Sequence, residues 1–149
     1  MRFMLIVKAT KDSEAGILPS EQGLAAMAKF NEELVKAGVL LDAQGLKASS
    51  HGARVSFGGG KVTVTDGPFT ETKELIAGFW IIQAKSREEA IEWAKRAPFA
   101  QIPDHHGEAE VEVRPFFELD DFGACAAVEQ HREVGKQIAK TGSVSRAQH

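Results

Sequence analysis

The stretch Met1-Arg2-Phe3-Met4-Leu5-Ile6-Val7-Lys8 decides the fold, together with its counterpart Phe79-Trp80-Ile81-Ile82. In an extended chain alternate residues face opposite ways, so Phe3, Leu5 and Val7 lie on one side while Met4 and Ile6 lie on the other. Both stretches are therefore strands apolar on both faces and belong at the centre of a sheet. Glu110-Val111-Glu112-Val113-Arg114 alternates strictly and predicts a strand wet on one side, and Val39-Leu40-Leu41 with Ala43 predicts a shorter, mixed one.

Two helices fall between these strands. Pro19-Ser20 opens one in which Leu24, Met27, Phe30 and Leu34 recur at helical spacing until Gly38 can cap it. Ser86-Arg87-Glu88-Glu89 reads as a capping box for the other, with Ala90, Trp93, Ala94 and Ala97 as its stripe and Pro98 as its stop. The order is βαββαβ, an α+β plan of the ferredoxin-like kind. After the second strand a hairpin is inserted: Val55 and Phe57 alternate with Arg54 and Ser56, Gly58-Gly59-Gly60 turns, and Val62 and Val64 alternate with Lys61 and Thr63. Residues 1–118 are expected to form this domain. Residues 119–149 read as an extension with one helix near 126–140, striped by Val128, Val134 and Ile138, and a disordered tail from Ser143.

Two helices cover only one face of a four-stranded sheet, so the apolar side chains on the other face need a second cover. Leaving two aromatic rings in water would forfeit several kcal/mol at about 25 cal/mol per Å². A second copy of the chain is the favoured cover, because the stripe of the C-terminal helix is thin and broken by Gly135.

Composition bounds the rest. A chain of 149 residues fits one ordinary domain. With 18 basic against 21 acidic residues and no Lys/Arg block, nothing tracks a nucleic-acid backbone. The N-terminal apolar run is too short for a membrane span or a signal-peptide core, so a cytoplasmic location is expected. The single cysteine, Cys125 in Gly123-Ala124-Cys125-Ala126-Ala127, is expected to be a small buried or half-buried filler. No cofactor motif is present, and Gly58-Gly59-Gly60-Lys61 lacks the rest of a phosphate-binding loop.

The chemistry concentrates in Thr65-Asp66-Gly67-Pro68-Phe69-Thr70-Glu71-Thr72-Lys73-Glu74, closing on Gly78-Phe79-Trp80. An aspartate usually takes a hydrogen bond from the backbone two residues on, but Pro68 has no N–H to give. Asp66 is thus expected to reach the Phe69 N–H and keep one oxygen outward. Gly67 suggests a close approach to its backbone, Phe69 an anchor in the core, and Glu71 with Lys73 a salt bridge shaping the loop. Arg114 shares a face with Glu110 and Glu112, which predicts a cross-strand ion pair; the alternative is a bidentate anchor for an acidic ligand.

This run resembles the signature of the DGPF, or YCII-related, family. The resemblance covers residues 1–116 and implies a ferredoxin-like domain paired into a dimeric α+β barrel, with a small-molecule cleft beside Asp66. It implies Asp66 as a candidate catalytic base, and Gly67, Pro68, Phe69, Glu71, Lys73 and Arg114 as candidate ligand contacts. Activity of the isomerase or lyase type, without a cofactor or metal, is one implied reading; a non-catalytic partner in sigma-factor-dependent transcription is the other. Relatives suspected of a His–Asp pair point to His106, in Pro103-Asp104-His105-His106-Gly107, as a partner for Asp66; the first strand departs from the pattern of those relatives, with Lys8 and Thr10 where a histidine would stand.

Overall fold

The computed structural model describes residues 1–102 and 108–146. It divides into two compact units, Met1–Phe116 and Phe117–His149. In chain order the first holds β1 (Arg2–Lys8), the single turn α1 (Lys11–Glu14), α2 (Glu21–Lys36), β2 (Leu40–Gly45), β3 (Ala53–Gly58), β4 (Lys61–Asp66), β5 (Ile76–Gln83), α3 (Arg87–Lys95) and β6 (Val111–Pro115). Setting aside α1 and the β3–β4 hairpin, this is the expected βαββαβ order.

The four-stranded sheet runs β2-β5-β1-β6 and every neighbouring pair is antiparallel. The two strands with apolar residues on both faces occupy the centre. Ser20 caps α2 by accepting from the Gly23 N–H, and Ser86 caps α3 by accepting from the Glu89 N–H. Sequence reading missed α1, whose start is a capping box between Thr10 and Ser13.

Register decides which side chains share a face. Leu5 stands opposite Trp80 and Phe3 opposite Ile82, and these four are buried in one cluster with Phe30, Leu34 and Ala90 of the two helices. Trp80 meets Phe30 edge to face at 5.3 Å, and its Nε1–H donates to Asn31 Oδ1 at 2.7 Å, so its one polar atom is satisfied inside the core. Fully burying each of Phe3, Leu5, Leu34 and Ile82 contributes about 1.5–3 kcal/mol. The opposite face carries Met4, Ile6, Phe79 and Ile81, all half-buried. Phe3 and Trp80 both turn toward the helices, so of the central rings Phe79 alone lies on the outer face.

The hairpin pairs Val55 with Val64 and Phe57 with Val62, turning on Gly59 and Gly60 at φ 58° and 72°. Positive φ at both positions is what a two-residue turn matching strand twist requires. All twelve strand residues are exposed, Phe57 at 80%. The hairpin that delivers the chain to Asp66 is therefore an open surface.

In the second unit, α4 runs Ala126–Arg146, longer than the sequence suggested, so residues 143–146 are helical and not a disordered tail. Residues 147–149 lie outside the described residues. Cys125 is exposed, against the expectation of a buried filler, because the apolar residues flanking it are exposed as well. No helix among the described residues is long and apolar enough to cross a membrane.

Candidate functional site

The loop after β4 is fixed from beneath by a segment that sequence reading passed over. Glu14, at the end of α1, accepts the Ser49 N–H at 3.0 Å and the Ser49 hydroxyl at 2.5 Å. Ser49 Oγ in turn accepts the Phe69 N–H at 3.0 Å, and Gly67 N–H donates to the Gly52 carbonyl at 3.0 Å. A carboxylate acceptor makes the first link charge-assisted and strong. The 66–69 turn thus hangs on three residues far away in sequence. Thr10-x-x-Ser13 marks α1, but nothing local marks Glu14 or Ser49 as partners of the loop.

Close packing accompanies these bonds. A Cβ on Gly67 would lie 1.8 Å from the Ser49 carbonyl oxygen, so only glycine fits. The close approach expected at this glycine is real, and its source is the 49–52 segment. Phe69 is half-buried outside the core cluster, with the Arg54 guanidinium 3.8 Å from its ring centroid. It is a platform for Arg54 and not an anchor in the core. Arg54 also pairs with Glu71 at 3.7 Å, taking the place expected of Lys73. The hairpin explains this: Arg54 projects from β3 on the face opposite Val55, directly over the loop.

The Asp66 side chain is exposed and makes no hydrogen bond or ion pair among the described residues. Its expected bond from the Phe69 N–H does not form, because Ser49 Oγ takes that donor. Asp66 stands opposite Ala53, on the same face of the hairpin as Val55, Phe57, Val62 and Val64. His106 lies outside the described residues.

Arg114 sits elsewhere. It stands opposite Met4 in β1, whereas the loop joins the sheet where Ala9 N–H donates to the Leu75 carbonyl, at the other end of that strand. Arg114 lines a cavity of about 240 Å³ with Met4, Ile6, Pro115 and Phe116. A second cavity, about 530 Å³, lies between α3 and β6. Neither includes Asp66. The structure therefore separates Arg114 from the 66–73 cluster.

Arg114 pairs with Glu112 of its own strand at 3.5 Å, and the cross-strand bridge is made instead by Lys8, 3.2 Å from Glu112. Hydrogen bonding and charge from Lys8 hold the Glu112 carboxyl below its ordinary value against an upward push from burial, and Arg114 adds a smaller downward contribution. A lowered carboxyl favours the folded state above its unfolded value, and that contribution disappears as the pH falls through the folded value. Lys8→Met is expected to move Glu112 titration, followed by carboxyl NMR shifts, to higher pH; an unmoved titration would remove Lys8 as the cause.

Comparison with known proteins agrees with the signature. The family model described as "YCII-related domain" matches residues 1–117. An uncharacterised protein of Rhizobium meliloti (strain 1021) is 32% identical over 75 residues, which is 50% of this chain and 60% of the relative's length. The solved structure of 5-chloro-2-hydroxyhydroquinone dehydrochlorinase from Burkholderia phenoliruptrix AC1100, in complex with 2,5-dihydroxybenzoquinone, is similar at 18% identity and a TM-score of 0.43, over 79% of this chain and 95% of that one. Similarity at that level transfers no chemistry.

Proposed function

We propose that this chain, which belongs to the YCII-related domain family, binds a small organic molecule at the 66–69 turn and does so as a homodimer. One observation carries the reading. Asp66 is a carboxylate without an internal partner on a turn whose next three residues are locked by Ser49, Gly52 and the lack of room at Gly67. An exposed surface aspartate ordinarily rides on a mobile loop. Here the backbone is held and the acceptor is left available, which lowers the ordering cost of binding a donor.

Covering the apolar hairpin face beside it would exclude water from this carboxylate and strengthen its hydrogen bond to a donor. A second copy supplies that cover. Within it Asp66 accepts a hydrogen bond or a proton from the bound molecule, and Arg54 and Glu71 hold Phe69 beneath it.

A thermal-shift screen of small organic acids and phenols against wild type and Asp66→Asn tests this. Compounds that bind here raise the wild-type midpoint, and a ligand at 100 times its Kd stabilises by about 2.7 kcal/mol. The asparagine variant should lose most of that gain while keeping its own unliganded midpoint. Equal gains in both proteins would place the site away from Asp66.

A further inference from the structure

The side of the sheet that faces the helices carries a groove separate from the 66–69 turn and from Arg114. Its floor is Val111 and Val113 of β6, an edge strand, and its wall is Ile91 and Ala94 of α3. All four are half-buried. Val113 stands opposite the buried Leu5, so Glu112 and Arg114 belong to the other face. The groove has a local cause: α3 packs on the core through Ala90, Ala94 and Ala97, and such short side chains leave space between helix and edge strand unfilled. Phe99 also lines it, held edge-on to Trp80 at 6.2 Å. The volume, about 530 Å³, lies within the roughly 300–1,000 Å³ of small-molecule sites.

The charge on this lining has one sign. Among the described residues its only charged side chains are Arg87 and Lys95, eight residues and about 12 Å apart along α3. Lys95 is already committed, its Nζ donating to Glu92 Oε1 at 2.6 Å. Arg87 is not. Its one ion pair, with Glu88 at 3.7 Å, is longer than a hydrogen bond and joins two mostly exposed side chains. Surface pairs of this kind contribute little and yield to a better acceptor. The guanidinium therefore keeps its parallel donors for a carboxylate, whose two oxygens match them.

We infer that this groove binds an amphipathic monocarboxylate, with the carboxylate on Arg87 and the apolar chain or ring along Ile91 and Ala94 over Val111 and Val113. The apolar body gains by leaving water, and a lining charged only by cations favours an anionic head group over a cationic one. The site shares no residue with the 66–69 turn, so it goes beyond the function proposed above and stands or falls separately.

NMR of the full chain, labelled at isoleucine and valine methyls and at backbone amides, tests this with octanoate. Octanoate should move the Ile91, Val111 and Val113 methyl signals saturably and leave the Phe69 amide in place. Lengthening the acid from hexanoate through heptanoate to octanoate should tighten binding about 2- to 4-fold per carbon, the upper figure being full removal of a methylene from water. Arg87→Gln should weaken octanoate about 2- to 5-fold and leave octan-1-ol unaffected. Arg87 is exposed, so the variant should fold, and an unmoved methyl signal from the buried Ile82 checks this. Octanoate that leaves the three groove residues unmoved overturns the inference, as does an affinity indifferent to chain length or to Arg87→Gln. Methyl shifts that grow with protein concentration alone and ignore octanoate would give the groove to a second copy, and overturn it too.

Discussion

Gly67→Ala is expected to destabilise the protein by about 1–3 kcal/mol and to displace the 66–69 turn, since an added methyl in a filled site forces backbone to move. The methyl would meet the Ser49 carbonyl oxygen at 1.8 Å and its carbon at 2.6 Å. Neither is the tip of a flexible side chain. Relief requires moving the 49–52 segment, and that breaks the Gly67 bond to Gly52 and loosens the links from Phe69 to Ser49 and from Ser49 to Glu14. Urea denaturation measures the loss, and the Phe69 amide should exchange faster with solvent in the variant. A variant as stable as wild type, with a protected Phe69 amide, would mean that the close approach to Ser49 is not a feature of the protein in solution.

A second large effect is expected in the core. Phe3→Ala removes a ring with no exposed surface, between the two helices and the central strands, and should cost about 3–5 kcal/mol. Net stability of a single domain is about 5–15 kcal/mol, so the variant keeps little margin at 37 °C. The urea midpoint should fall with no change in slope. A loss under about 1 kcal/mol would place Phe3 on the open face, reversing the facing of β1. Trp80 then gives an independent check, because its indole bond to Asn31 fixes β5 to the same side.

The architecture of the first unit was readable because strand and helix periods are local. Phe3 to Val7 and Phe79 to Ile82 carry apolar residues at consecutive positions, which only central strands tolerate, and Ser20 and Ser86 announce the helices they cap. The hairpin turn followed from three glycines, two of which adopt the positive φ it needs. Asp66 stood out as a candidate by its chemistry, and the crowding at Gly67 was readable from its residue type. The partners were not readable. Ser49 lies 20 residues before Phe69 and Glu14 lies 35 before Ser49, and no pattern in either segment specifies so distant a hydrogen bond. Lys73 looked like the natural mate of Glu71 by proximity in sequence. Arg54 takes that place because the hairpin brings β3 back over the loop.

The sequence by itself determined the strand and helix order, the central place of the two doubly apolar strands and the family. The first two depend on periodicity and capping within about ten residues, and the family on the signature from Thr65 to Glu74. Only the tertiary structure decided that Phe3 and Trp80 share the helix side, that Asp66 ends an exposed apolar stripe, and that Arg114 lies at the far end of β1 from the loop. Those outcomes are set by strand register and by contacts between distant segments. Shifting register by one residue exchanges every side chain between faces without changing a letter of the sequence.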